Sequence, residues 1–138
     1  MQAGREKRPT VKVMWYFPII PRLKRLFATT KTTKLMRWHV EDQVNDGKLR
    51  HLADGAQWRA INHSYKRSFS NEIRNIRFGL STDEMNPFNM VSSNHSTWLV
   101  TLCIYNLPPW LCKKWTHLMM SILIQGPRQP RNNIDVYL

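Results

Sequence analysis

Carboxylates are scarce in this chain. Its 138 residues hold nine Asp and Glu against 21 Lys and Arg, a net charge of +12. After Glu84 a single acid remains, Asp135. Any chemistry that needs clustered carboxylates must therefore fall on very few residues. Cysteine is as rare: Cys103 and Cys112 are the only two, nine positions apart. That spacing is not the short pair of a zinc site, and both sit in apolar surroundings, so buried reduced thiols are expected rather than a disulfide. The five glycines are too dispersed to form a phosphate-cradling loop. His39, His51, His63, His95 and His117 include no i, i+4 pair on one helical face, so surface or packing roles are expected. No Ser, His and Asp block supports a nucleophilic triad. The longest apolar run, residues 118–124, is far too short to cross a bilayer. The first residues are charged and carry no secretory apolar segment.

What is abundant is positive charge, and it is uneven. Residues 1–50 carry twelve Lys and Arg and four acids, a net of +8, and residues 51–138 carry nine and five, a net of +4. Such a field attracts polyanions, though it says nothing about fold. A solvated basic surface explains the same numbers.

Residues 1–12 read as a basic, disordered tail, and 13–70 as a basic helical segment. Pro21 stands where a helix tolerates proline, with Leu23, Leu26 and Phe27 as an i, i+3, i+4 stripe. Arg22, Lys24 and Arg25 fall mostly off that stripe. A second helix is expected over 32–43, capped by Thr32 or Thr33. Lys31, Lys34 and Arg37 line one of its sides. These six cations are the candidate phosphate contacts, and a solvated helix face is the plain alternative. Asp46-Gly47 signals a turn. A third helix is expected from a cap at Asp54 to about Tyr65, with Trp58 and Ile61 inward. Trp38, Trp58, Trp98, Trp110 and Trp115 lie among aliphatics, which favours packing over base stacking.

From Ile73 the pattern changes to strands, expected over 73–82, 97–105 and 115–124. Ile73, Ile76, Phe78 and Leu80 are the apolar positions of the first. It reads as a buried strand that delivers Asp83 into a turn at Asn86-Pro87. An Asp held rigidly there suits a metal-binding carboxylate, and it is also ordinary turn chemistry. Three strands joined by short turns make an antiparallel meander.

Several blocks of unusual composition agree in order and spacing. They are Tyr16-Phe17-Pro18-Ile19-Ile20-Pro21-Arg22-Leu23, Tyr105-Asn106-Leu107-Pro108-Pro109-Trp110-Leu111-Cys112 and Ile134-Asp135-Val136-Tyr137-Leu138, with the Asp83 stretch between the first two. From about Val13 to Leu138 the chain resembles the transposase of plant CACTA (En/Spm-type) DNA transposons. The resemblance implies an α+β fold in which the helical segment precedes the first three antiparallel strands of an incomplete ribonuclease H-like core, over 71–138. It also implies a DNA partner, a nuclear location, and Mg²⁺ held by three carboxylates for DNA strand cleavage and transfer. Asp83 matches the family's strand-end Asp and is the candidate first ligand. Asp135 is a second candidate ligand, though an Asp that starts a helix, as expected there, is more often its cap. The chain departs from the family block in three ways. Glu84 replaces a Gly, with about 1 kcal/mol or more of strain if φ is positive there, and Met85 replaces a Phe. A Gly is also missing between Phe88 and Asn89. With the other ligands and the family's cysteine-rich segment lacking, three readings stay open: an internal fragment of the enzyme inactive by itself, a catalytically silent DNA-binding module, or a decayed element.

Overall fold

A computed structural model of the chain describes residues 13–86, 96–126 and 130–138, with the side chains of 131 and 132 left aside. The tail expected over 1–12, Pro87 and His95 lie outside the described residues. Four strands form one antiparallel sheet in the order β1-β4-β3-β2, with β1 at Met14–Tyr16, β2 at Phe78–Met85, β3 at Thr97–Ile104 and β4 at Met119–Gln125. Four helices accompany it: α1 at Ile20–Leu26, α2 at Thr30–Glu41, α3 at Ala56–Ser64 and the short α4 at Pro109–Cys112. The fold is α+β, as expected, with four strands among the described residues where three were expected.

The extra strand precedes the helices. Met14, Trp15 and Tyr16 pair with Ile124, Leu123 and Ile122, and all three are exposed, so no burial period betrays them in the sequence. The third expected strand begins four residues late, because Trp115–His117 form a 3-10 turn instead. β4 also carries a bulge. Val100 faces Ile122 while Thr101 faces Met120, which leaves Ser121 as the extra residue. The bulge shifts the alternation, so Met119, Ile122 and Ile124 all reach the same face and the run reads as ambiguous in period.

That face carries the core. Met36, Leu102, Ile104, Leu107, Cys112 and Met119 are buried together, with Leu23, Leu26, Phe27 and Leu35 of α1 and α2 packed against them. Val100, Ile122 and Ile124 form a second cluster with Trp98, Ile134 and Tyr137. Burying one such aliphatic side chain stabilises by about 1.5–3 kcal/mol, so β3 and β4 anchor the chain. Both cysteines are free, and the Cys103 Sγ lies 2.9 Å from the Cys112 carbonyl oxygen, a thiol–carbonyl contact. Burial pushes the Cys103 thiol up to about 11.

Several expected boundaries move for local reasons. Thr29 caps α2, its hydroxyl accepting from the Thr32 amide at 3.2 Å, so the helix starts earlier than a cap at Thr32 or Thr33 would allow. Asp54 is not the cap of α3, which is Gly55. It closes a preceding 3-10 turn, Leu52–Asp54, where its carboxylate accepts from the Arg50 and His51 amides at 2.8 and 2.9 Å. Asp135 does not cap a helix either. Within Arg131–Val136 two short 3-10 turns meet at a kink at Asn133, and Asp135 lies exposed inside the second turn. Asp46-Gly47 is the turn expected, with Gly47 at φ 76 and the Asp46 carboxylate accepting from the Lys48 amide.

Candidate functional site

The first expected strand is neither as early nor as buried as its apolar residues suggest. Residues 73–77 turn instead: the Asn75 amide donates to the Glu72 carbonyl at 3.0 Å and the Asn75 side chain to the Phe69 carbonyl at 2.6 Å. β2 then starts at Phe78 and pairs only with β3 among the described residues. Its outer edge leaves Phe78 38% and Leu80 56% exposed. Gly79 is required here for room. A Cβ built on it would collide with the Tyr105 hydroxyl and ring, so Tyr105 lies over the edge strand only because position 79 has no side chain.

Asp83 stands within β2, two residues before its end, opposite Leu99. The row continues through Leu123 to Trp15, so one ladder crosses all four strands from Asp83 to Trp15. Alternation sets this row on the face opposite Val100, Ile122 and Ile124. The carboxylate is exposed and accepts the Glu84 amide at 2.8 Å. Glu84 occupies a regular ladder position opposite Trp98. The strain expected there does not arise, because the strand carries its extended backbone through Met85. Glu84 also points to the other face, so it does not crowd Asp83. Among the described residues no three His, Cys, Asp or Glu side chains converge as a metal site. Asp83 by itself supplies one carboxylate, and an octahedral Mg²⁺ needs further oxygen ligands.

The six candidate phosphate contacts divide. Lys24, Arg25, Lys31 and Lys34 are exposed on α1 and α2. Arg22 is half-buried and donates to the Met120 carbonyl, tying α1 to β4. Arg37 is paired with Glu41 one turn on.

What joins the helical segment to the sheet is a polar and aromatic cluster that the sequence reading missed. Asn106 is 0% exposed. Its side-chain oxygen accepts from the Arg77 amide at 2.7 Å, and its NH₂ donates to the Asn75 carbonyl at 2.9 Å. Around it, ring edges meet ring faces: His39 on Trp58, Trp38 on Trp110, and His51 on Trp38 and Tyr105. The Arg77 guanidinium stacks 3.8 Å from the Trp58 ring centre. The only signal for this in the sequence is Asn106 itself, a polar residue inside an otherwise apolar block.

The cluster makes folding sensitive to acid. Burial, and then the charge of Arg77, holds His39 below its ordinary value, and burial lowers His51 as well. Both histidines titrate near pH 6.5 when unfolded. Below that pH the unfolded chain binds protons that the folded chain refuses, so stability falls as pH drops. The two carboxylates held at about 2, Asp46 and Glu72, are paired with Arg50 and Arg74 and stay largely ionised at pH 5 in either state. A melting temperature that is flat above pH 7 should therefore decline between about pH 6.5 and 5, less steeply in His39→Gln. An unchanged melt down to pH 5 would contradict this account.

A family model described as Transposase family tnp2 matches residues 46–138, two-thirds of the chain. The chain belongs to this transposase family. No curated protein matches it, and no solved structure does. The match takes in Asp83, Asp135, α3 and the Asn106, Trp58, Arg77 and Tyr105 part of the cluster, while α1 and α2, with Trp38 and His39, precede it. The transposase family suggests DNA as the partner. No described helix is long and apolar enough to cross a membrane.

Proposed function

We propose that this chain is an internal portion of a plant CACTA (En/Spm-type) transposase, a nuclear protein that handles transposon DNA, and that by itself it binds DNA without cutting it. The observation that carries the reading is the place of Asp83. It stands on the first strand of a three-strand meander, inside the matched region, on an edge strand with exposed apolar residues. An edge of that kind suits further pairing, as a ribonuclease H-like core would provide. In this reading Asp83 supplies one ligand to a Mg²⁺ site completed by residues outside those described, with Asp135 a weaker second candidate. Lys24, Arg25, Lys31 and Lys34 supply phosphate contacts on the basic helices, with Arg22 and Arg37 behind them.

A second reading, a basic DNA-binding module whose lineage no longer cuts, is favoured by the acid shortage: only Asp135 follows Glu84. One experiment separates them. The chain is mixed with supercoiled plasmid and Mg²⁺, alone and within a longer copy of the same frame. Binding should weaken with salt, log K falling by about 0.9 per phosphate contact per decade. The chain alone should leave the plasmid intact, and the longer copy should nick it until a chelator is added. Salt-independent binding would refute both readings. Nicking by the chain alone would refute its proposed inactivity, and a longer copy that binds but never nicks would leave the second.

A further inference from the structure

α3, the π-turn Lys66–Ser70 and the turn leading into β2 enclose an open cleft of about 510 Å³. That is the size of small-ligand sites. Its charge is one-sided. Arg59, His63, Lys66 and Arg77 line it, against the single acid Glu72. Glu72 is already engaged: it accepts from the Arg74 amide at 3.0 Å and from the Arg74 guanidinium at 2.9 and 2.7 Å. No carboxylate pairs with Arg77 among the described residues. Its guanidinium is held by Trp58 on one side and donates to the Asn62 side-chain oxygen, which leaves the Nη1 group buried with no partner. The Ser70 hydroxyl, on the same cleft, is also buried with no partner. Two unsatisfied buried polar groups at one cleft are costly to fold around. Each such group calls for an explanation, and a bound ion that completes the hydrogen bonding is one.

The ligand that fits is an anion rich in acceptor oxygens and lacking donors. A phosphate meets that description, and Arg is the residue that recognises it most specifically. Val40, Phe69 and Ile73 add apolar wall among Asn62, Asn71 and Asn75, so the cleft offers more than a point charge: there is room for the sugar or base beside the phosphate. We infer that this cleft is a phosphate-binding site that takes a backbone phosphodiester of the DNA strand, with Arg77 and Ser70 as its inner donors and Arg59 and Lys66 at its mouth. The site is distinct from Asp83 and from the basic faces of α1 and α2. The inference rests on the chain being a DNA-handling transposase segment.

The test uses the whole 138-residue chain and a short labelled DNA, with inorganic phosphate as the second probe. Arg59→Gln with Lys66→Gln removes two exposed charges at the mouth without touching the core. Lys113→Gln with Lys114→Gln removes two exposed charges elsewhere and serves as the equal-charge control. The cleft pair should weaken DNA binding about ten-fold or more, and should reduce the salt slope by about 0.9 for each phosphate no longer engaged. The control should change both much less. Ser70→Ala, judged alongside its own melting curve, should also weaken binding. Equal losses in the two pairs would overturn the cleft while leaving the DNA-handling reading intact. No DNA binding by the unaltered chain would overturn both. Saturable binding of inorganic phosphate that the cleft pair abolishes, with DNA affinity unmoved, would assign the cleft to a free phosphate and overturn its role on DNA.

Discussion

Asn106→Ala should cost the fold about 3 kcal/mol, enough to lower the melting temperature by roughly 10 °C in a domain of this size. The side chain is fully enclosed and serves two backbone groups from one turn, the Arg77 amide and the Asn75 carbonyl. Alanine leaves both unpaired, at about 1–3 kcal/mol each, and opens a small void beside His39. The effect does not stop at the amide. The Arg77 backbone also accepts the Tyr105 amide at 2.9 Å, which sets the start of the β2–β3 ladder, and its side chain lies on Trp58. Losing Asn106 therefore loosens the entry to β2, the stack on α3 and the wall of the basic cleft together. Urea melts are the measurement: the midpoint should fall with the slope unchanged. A loss below about 1 kcal/mol would mean that residues 75–77 find other partners and that Asn106 is not what fixes them.

This dependence also shows which parts of the chain can be read from sequence. β3 was legible because Trp98, Leu99, Val100, Leu102, Cys103 and Ile104 form a near-continuous apolar run, and its observed span, Thr97–Ile104, differs by one residue from the expected one. The existence of α2 was legible and its start was not, since threonines at 29, 30, 32 and 33 all offer a capping hydroxyl and only Thr29 takes the extended cap conformation. β4 was blurred by the bulge at Ser121 and by Trp115, which is 83% exposed despite its type. β1 was invisible because three exposed residues have no burial period. For β2, Ile73 and Ile76 suggested an early start, and the hydrogen bonds of Asn75 that prevent it depend on Phe69 and Asn106, which no local pattern reveals. The basic cleft was out of reach for a similar reason. Arg59, Lys66 and Arg77 are scattered in sequence, and what marks Arg77 is the lack of a carboxylate nearby, a property of the fold alone.

Asp83→Asn, placed in a longer copy that cuts DNA, should reduce cutting by about a thousand-fold or more while leaving the melting temperature of the chain within about 1 °C. The two halves of that expectation come from separate facts. Metal-assisted stabilisation of developing charge is worth several kcal/mol, and each 1.4 kcal/mol is about a factor of ten in rate, so a ligand carboxylate made neutral should lose most of the activity. Stability should hold because the Asp83 side chain is exposed and the hydrogen bond it accepts from the Glu84 amide is one that an Asn oxygen can also accept. Its backbone pairing with Leu99 is untouched. Glu84→Gln provides the contrast. It removes the same charge from the neighbouring residue, but on the opposite face of the strand, and should leave cutting nearly unchanged. Equal losses from the two variants would point to a general field effect near the edge of the sheet. Full activity in Asp83→Asn would remove Asp83 from the chemistry altogether, and the basic surfaces would then be the functional features left among the described residues.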